Sequence, residues 1–371
     1  MKITTATRRF TNPLYLESGR IFEPYEIIYE TYGELNERKD NVILVCHALS
    51  GSHHAAGRYE PTDPKAGWWD DLIGPSKPVD TNRFFVIATN VIGSCFGSTG
   101  PMSLEVYTQK PYRFSFPVLT IKDMVKAQKI LLSELGIYQL HAIIGGSMGG
   151  MQALTFAIEY PGFAKMVIPM ATTHATQPWV IAFNKIGQRA IMSDPAFNNG
   201  NYDPAEIRQN GLNGLSVARM TGYLGYLSPQ TMQKKFGRNY VANDGLFELF
   251  GRYEIERYLD YNGDNFPKWF DPLSYLYITK AINIYDLSRG YDSLDEALSR
   301  LRSKLHLISF EGDYLFFPSE MREIKEAADR AGTGDLVSYY EVKSSYGHDA
   351  FLVEINLFGD YVAKLLEDQN G

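Results

Sequence analysis

Cysteine is almost absent from this sequence: Cys46 and Cys95 are the only two in 371 residues. Two cysteines cannot build a disulfide framework, so a reducing cytoplasm is the expected setting. Long apolar runs are missing too. No stretch approaches the ~18 apolar residues of a membrane span, and the opening MKITTATRRF lacks the apolar core of a signal peptide. Positive charge is not in excess either. The 36 Lys and Arg against 43 Asp and Glu leave a net charge of −7, which argues against nucleic acid as a partner. No repeat or low-complexity tract interrupts the chain. What remains is ordinary globular composition, 44% hydrophobic and 21% charged, with enough length for a full-sized core.

Short β-branched or aromatic runs recur in the first half: EIIYETYG (26–33), NVILVCHA (41–48), FFVIATNV (84–91), LHAIIGG (140–146) and MVIPMA (166–171). Several are apolar on both faces, as buried strands of a mostly parallel sheet are. Helical patterns alternate with the later ones. IKDMVKAQKILLSELG has Thr120 as its N-cap, and MGGMQALTFAIEY stops at Pro161-Gly162. This alternation predicts βαβ units. From about Gln177 to Ser303 the rhythm gives way to helical and irregular patterns rich in Tyr, Asn, Gly and Met. Strand-like runs return with LHLISFEG (305–312) and VSYYEVKS (337–344), separated by the helical SEMREIKEAADRAG. The economical reading is one sheet domain, residues 1–176 and 304–371, interrupted by a helical insertion at 177–303. Two domains in series would leave the last two strands without a sheet.

IIGGSMGGMQAL sets four glycines around Ser147, between a strand and a helix. Gly145-Gly146-Ser147-Met148-Gly149 fits G-x-S-x-G, the elbow that exposes a nucleophilic serine in α/β-hydrolase folds. Small neighbours let strand and helix approach closely, and the Met148 N–H then points where an oxyanion develops. The serine needs a base, and the base an orienting carboxylate, in the chain order Ser, Asp or Glu, His. Asp313 follows LHLISFEG, and His348 is the only histidine beyond the final strand. The second oxyanion donor belongs to the loop after an earlier strand; CHALSGSHHAAG offers the N–H of Leu49. The histidines of that loop (His47, His53, His54) lack the carboxylate or cysteine pattern of a zinc site, so no metal is expected. Cys46 reads as a small buried residue.

With these residues assembled, the chain resembles the homoserine O-acyltransferases of the α/β-hydrolase fold. The resemblance is carried by GWWDDLIGPSKPVDTNRFFVIATNVIGSCFGSTGP, GGSMGGMQAL, AFNKIGQRAIMSDP, FDPLSYLYIT and GHDAFL, and it spans nearly the whole sequence. GGSMGG and GDYLFFP look more like the acetyl-transferring members. The resemblance implies a mostly parallel sheet flanked by helices, with a helical lid inserted between the later strands. It also implies transfer of an acetyl group from acetyl-coenzyme A, a co-substrate, to L-homoserine early in methionine synthesis, with no bound cofactor. By it, Ser147 is nucleophile, His348 base and Asp313 orienter, with Leu49 and Met148 forming the oxyanion hole. Arg219, in GLSVARMTGYLGYLS, is assigned to the substrate carboxylate and Asp349 to its ammonium, one fixed charge for each end of an amino acid. A homodimer joined through the insertion is implied as well. The rivals are a succinyl donor, a serine acceptor, or an esterase or thioesterase that passes the acyl group to water. A non-catalytic binding protein would have lost a triad member, and none is lost.

Overall fold

The computed structural model describes residues 1–242 and 245–367. Its centre is an eight-stranded sheet: β1 (Ile3–Phe10), β2 (Tyr25–Tyr32), β3 (Val42–Cys46), β4 (Phe85–Thr89), β5 (Leu140–Gly146), β6 (Ala164–Met170), β7 (Lys304–Phe310) and β8 (Val337–Val342). The spatial order is β1-β2-β4-β3-β5-β6-β7-β8. From β4 to β8 every neighbouring pair is parallel. The expected mostly parallel sheet is therefore present, with a correction at one edge. EIIYETYG, read as one of the parallel set, runs antiparallel to both neighbours, and β1 was not anticipated. β1 reads ITTATRRF and is largely exposed, so it carries no apolar face for a sequence pattern to reveal.

The buried runs alternate between the two faces of the sheet. Leu44, Ile143, Val167, Leu305 and Leu307 point toward α1 (Ile121–Glu134), α2 (Met148–Glu159) and, later in the chain, α10 (Pro318–Arg330). Ile43, Val45, Ile144, Ile168 and Ile308 point to the other face, which is closed by Trp69, by Phe351 of α11 (Ala350–Val353) and by Phe358, Val362 and Leu366 of α12 (Ile355–Glu367). α1 starts where expected: the Thr120 hydroxyl accepts from Asp123 N, and the Asp123 carboxylate accepts from Thr120 N.

Between β6 and β7 the chain forms α3 (Pro178–Ser193), α4 (Pro204–Asn210), α5 (Asn213–Tyr226), α6 (Pro229–Phe236), α7 (Glu254–Asn265), α8 (Pro272–Asn283) and α9 (Leu294–Ser299). Val180, Ile191, Leu215, Ala218, Phe266 and Ile278 make this segment continuous with the core on the α1–α2 face. The register keeps the carboxyl ends of the central strands level, with Cys46 opposite Gly145, Gly146 opposite Met170 and Phe310 opposite Val342. Loops leaving those ends converge on one edge, where ligand crevices of open α/β sheets form. Among the described residues, no helix is long and apolar enough to cross a membrane.

Candidate active site

Ser147 ends β5 and precedes α2 with φ 58 and ψ −124, a conformation that side-chain-bearing residues rarely adopt. Three hydrogen bonds hold it there. Its N–H donates to Met170 O at 2.9 Å, and its carbonyl accepts from Thr172 Oγ1 at 2.9 Å and from Met151 N at 3.1 Å. The flanking glycines answer to close approach. A Cβ on Gly149 would lie 2.1 Å from Cys46 O, and one on Gly145 would lie 2.3 Å from Gly149 O. Backbone cannot give way at such distances, so any larger residue would push α2 off the sheet.

His348 and Asp313 meet this serine from the ends of the last two strands. Ser147 Oγ is 2.9 Å from His348 Nε2, and His348 Nδ1 is 2.8 Å from Asp313 Oδ2. The second carboxylate oxygen of Asp313 accepts from the N–H groups of Leu315 (2.9 Å) and Phe316 (3.0 Å). That occupancy turns Oδ2 toward the imidazole. With Nδ1–H donating to Asp313, Nε2 is left to accept the serine proton. His348 and Asp313 are both buried, and the imidazole packs against Phe316 and Phe351. Burial pulls the His348 pKa down, but the Asp313 carboxylate, its hydrogen bond and then Asp349 outweigh burial and raise it.

Leu49 lies in the turn after β3, and Met148 is the buried first residue of α2. Neither N–H donates to a protein acceptor among the described residues. First-turn helix amides are commonly left over in this way.

Arg219 sits on α5, half-buried, its guanidinium 5.0 Å from the Tyr223 ring, 5.2 Å from Tyr226 and 4.7 Å from Phe266. Asp349 follows His348 directly, and its N–H donates to Tyr226 O at 3.1 Å, so α5 ends against the histidine loop. Among the described residues neither Arg219 nor Asp349 has an ion-pair partner within 4.0 Å. Burial raises the Asp349 pKa, with His348 and Arg219 pulling the other way. Burial lowers that of Arg219, and Tyr226, Tyr223 and Asp349 more than offset it, so the guanidinium stays charged. Among the described residues the fold thus leaves one cation and one carboxyl without an ion-pair partner, the carboxyl next to His348 in sequence and the cation, held by Tyr223 and Tyr226, within electrostatic reach of it.

The other histidines of the CHALSGSHHAAG loop lie elsewhere in the packing. His47 is buried and bridges the Ala48 carbonyl and the Val91 N–H, and burial first of all pushes its pKa down to about 4. His54 Nδ1 lies 3.0 Å and His53 Nε2 3.7 Å from the buried Glu30, which also accepts from Tyr32 and Tyr59. Among the described residues no group of three or more His, Cys, Asp or Glu side chains is arranged to hold a metal. Sequence reading missed Glu30 and Gln152. Gln152 is buried, its amide donating to His47 O (3.1 Å) and Met148 O (3.2 Å). Its signal was a polar residue in an otherwise apolar stretch of α2.

Residues 41–355 match the alpha/beta hydrolase fold family. Over 370 residues, all of both chains, the sequence is 62% identical to homoserine O-acetyltransferase of Nautilia profundicola. The homoserine O-acetyltransferase of Bacillus anthracis has a crystal structure that superposes with a TM-score of 0.92 at 29% identity, covering 100% of this chain and 99% of that one. Esterase E22 superposes with a TM-score of 0.88, also at 29% identity, covering 99% and 100%.

Proposed function

The chain belongs to the homoserine O-acetyltransferases of the α/β-hydrolase fold, and on that premise we propose that it moves an acetyl group from acetyl-coenzyme A to the hydroxyl of L-homoserine. The product is O-acetyl-L-homoserine, for methionine synthesis. The observation that carries this reading is the Ser147–His348–Asp313 relay with Asp349 adjoining its histidine and the Arg219 guanidinium within electrostatic reach of Asp349. A fixed cation near a carboxyl suits the two ends of an amino acid, which a plain hydrolase has no need to hold.

In the first half-reaction Ser147 Oγ attacks the thioester carbonyl while His348 Nε2 takes the hydroxyl proton. The oxyanion rests between the N–H groups of Leu49 and Met148, and the proton on His348 passes to the departing coenzyme A sulfur. Homoserine then enters, its carboxylate on Arg219 and its ammonium on Asp349. His348 removes its hydroxyl proton, the alkoxide attacks the acetyl-serine, and Ser147 recovers the proton as the ester leaves. The kinetics are ping-pong. Water competes for the same acetyl-serine, so something must cover it. The insertion at 177–303 is the lid: Trp179 Nε1 donates to Tyr314 O, and Tyr226 faces His348.

The same insertion is the homodimer interface. Leu246, Phe247, Leu249 and Phe250 line one stretch of it, and Phe247 is 96%, Leu249 89% and Phe250 87% exposed. Free apolar area of that kind marks an association surface. Cys46 and Cys95, both unpaired thiols, suit a cytoplasmic setting.

The test is mass spectrometry in two stages. Mixed with acetyl-coenzyme A alone, the protein is expected to gain one acetyl group on the Ser147 peptide, and Ser147→Ala none. Given homoserine with acetyl- and succinyl-coenzyme A in competition, it is expected to yield O-acetylhomoserine. Acetylation elsewhere overturns the nucleophile, free acetate as the only product favours the esterase reading, and succinylated product overturns the donor.

A further inference from the structure

An oxyanion-binding N–H is one end of a peptide unit, and its direction is set by what holds the other end. For Leu49 the other end is the carbonyl of Ala48. That carbonyl accepts twice, from Gly51 N at 3.0 Å and from the ring of His47 at 2.7 Å through Nδ1. The second ring nitrogen of His47 faces the Val91 N–H at 3.1 Å. A backbone N–H can only donate and a carbonyl can only accept, so one tautomer fits: the proton is on Nδ1 and Nε2 accepts. His47 is fully buried behind the turn and touches none of the reacting groups.

We propose that His47 is a positioning residue for the oxyanion hole: by holding the Ala48 carbonyl through Nδ1–H, it aims the Leu49 N–H of the same peptide at the developing oxyanion and strengthens it as a donor. A peptide whose carbonyl accepts a hydrogen bond is polarised, and its N–H donates more strongly. The first turn of α2 is linked to the same residue through Gln152. Gln152 Nε2 donates both to His47 O and to Met148 O, and its Oε1 accepts from Gln128 Nε2 at 2.9 Å. Gln152 thus ties the His47 carbonyl to the first turn of α2, while the peptide that carries the Met148 N–H is held at its own carbonyl, Ser147 O, by Thr172 and Met151. This inference rests on the proposed roles of Ser147, Leu49 and Met148.

Two substitutions separate the aiming role from simple anchoring. In His47→Gln the terminal oxygen occupies the place of Nε2 and can still accept from Val91, but nothing donates to Ala48. In His47→Asn the amide nitrogen occupies the place of Nδ1 and can still donate to Ala48, but the Val91 bond is lost. The readout is acetylation of Ser147 by p-nitrophenyl acetate, followed as the burst of p-nitrophenol, which needs neither coenzyme A nor homoserine. We expect His47→Gln to slow the burst about 10- to 100-fold at unchanged apparent KM, below the loss seen when an oxyanion donor is deleted outright. His47→Asn recovers most of that loss. The reverse order, or equal loss in both, means that His47 only anchors the loop and overturns the proposal. Should both variants fail to fold, the wild-type tautomer decides: 15N spectra must show the His47 proton on Nδ1, and a proton on Nε2 refutes the inference. A wild type that is never acetylated on Ser147 sinks the site reading and this inference together. One that is acetylated yet makes no O-acetylhomoserine sinks only the acceptor reading, and the two variants still decide the role of His47.

Discussion

Replacing Arg219 offers the sharpest probe of how the amino-acid substrate is held. Its guanidinium is clasped by three aromatic faces at 4.7 to 5.2 Å and has no carboxylate in ion-pair range among the described residues, so it is pre-organised for the carboxylate proposed to bind it. Pairing with a substrate carboxylate in such a site contributes on the order of 2–4 kcal/mol. At about 1.4 kcal/mol per decade, Arg219→Ala slows attack of homoserine on the acetyl-enzyme roughly 30- to 1000-fold. Acetyl-enzyme formation involves only the donor and is expected to stay within about threefold. Arg219→Lys keeps the charge but loses the planar fork, so it falls between wild type and Ala. Folding stability changes little in the Ala variant: lost ring contacts, each on the order of 1 kcal/mol, are offset by removing an unpaired, partly desolvated cation. Rapid-mixing measurements separate the halves, following coenzyme A release without homoserine and then decay of preformed acetyl-enzyme as homoserine is added. Equal slowing of both halves, or a loss confined to acylation, refutes the assignment.

With His348 as the proposed base and its pKa raised above the ordinary 6.5, activity is expected to fall with acid through a midpoint above that value in kcat/KM for acetyl-coenzyme A. Asp313→Asn removes the charge that opposes burial, so the residual activity must show a lower midpoint; an unmoved one rejects the coupling. Glu320 is buried with one unpartnered carboxyl oxygen, and burial, more than any charge, raises its pKa to about 7. The folded state keeps a proton that the unfolded chain releases near the ordinary 4.5, so this contribution to stability is full below that pH and is lost as pH rises through about 7. Urea titrations of Glu320→Gln against wild type should therefore show the variant gaining, on the order of 2 kcal/mol, between those two pH values; a pH-independent difference disproves it. Finally, Phe247→Asp with Phe250→Asp is expected to give a folded monomer in sedimentation, and a persisting dimer would place the interface off this stretch.

What could be read in the sequence divides along a physical line. Ser147, Asp313 and His348 were legible because each stands at a fixed offset from an apolar run, and apolar runs announce buried strands. β1 was not, because an edge strand made mostly of exposed Thr and Arg has no apolar face to betray it. The antiparallel turn of β2 was hidden for a related reason: side-chain pattern reports burial, and strand direction leaves no trace in it. Arg219 has no local signal at all. Its importance depends on Tyr223, Tyr226 and Phe266 closing around it and on Asp349 arriving from the far end of the chain, so only the resemblance singled it out. His47 carried no signal of the role it has in the packing. Three histidines in one loop, without a metal-ligand pattern, left their partners open; packing turns one inward to the backbone and sets the other two against a buried glutamate.

The helices inserted between β6 and β7 also govern when this protein becomes reactive. Ser147 and His348 are 201 residues apart in sequence, with the whole of α3–α9 between them. During synthesis the strand bearing the proposed nucleophile leaves the ribosome long before its proposed base exists, and at ~5–20 residues per second the interval is on the order of ten seconds or more. Throughout it, Ser147 is an ordinary, unactivated hydroxyl. By the time β8 delivers His348, the covering helices are already made. The order of elements along the chain thus keeps a half-built molecule from splitting acetyl-coenzyme A to no purpose.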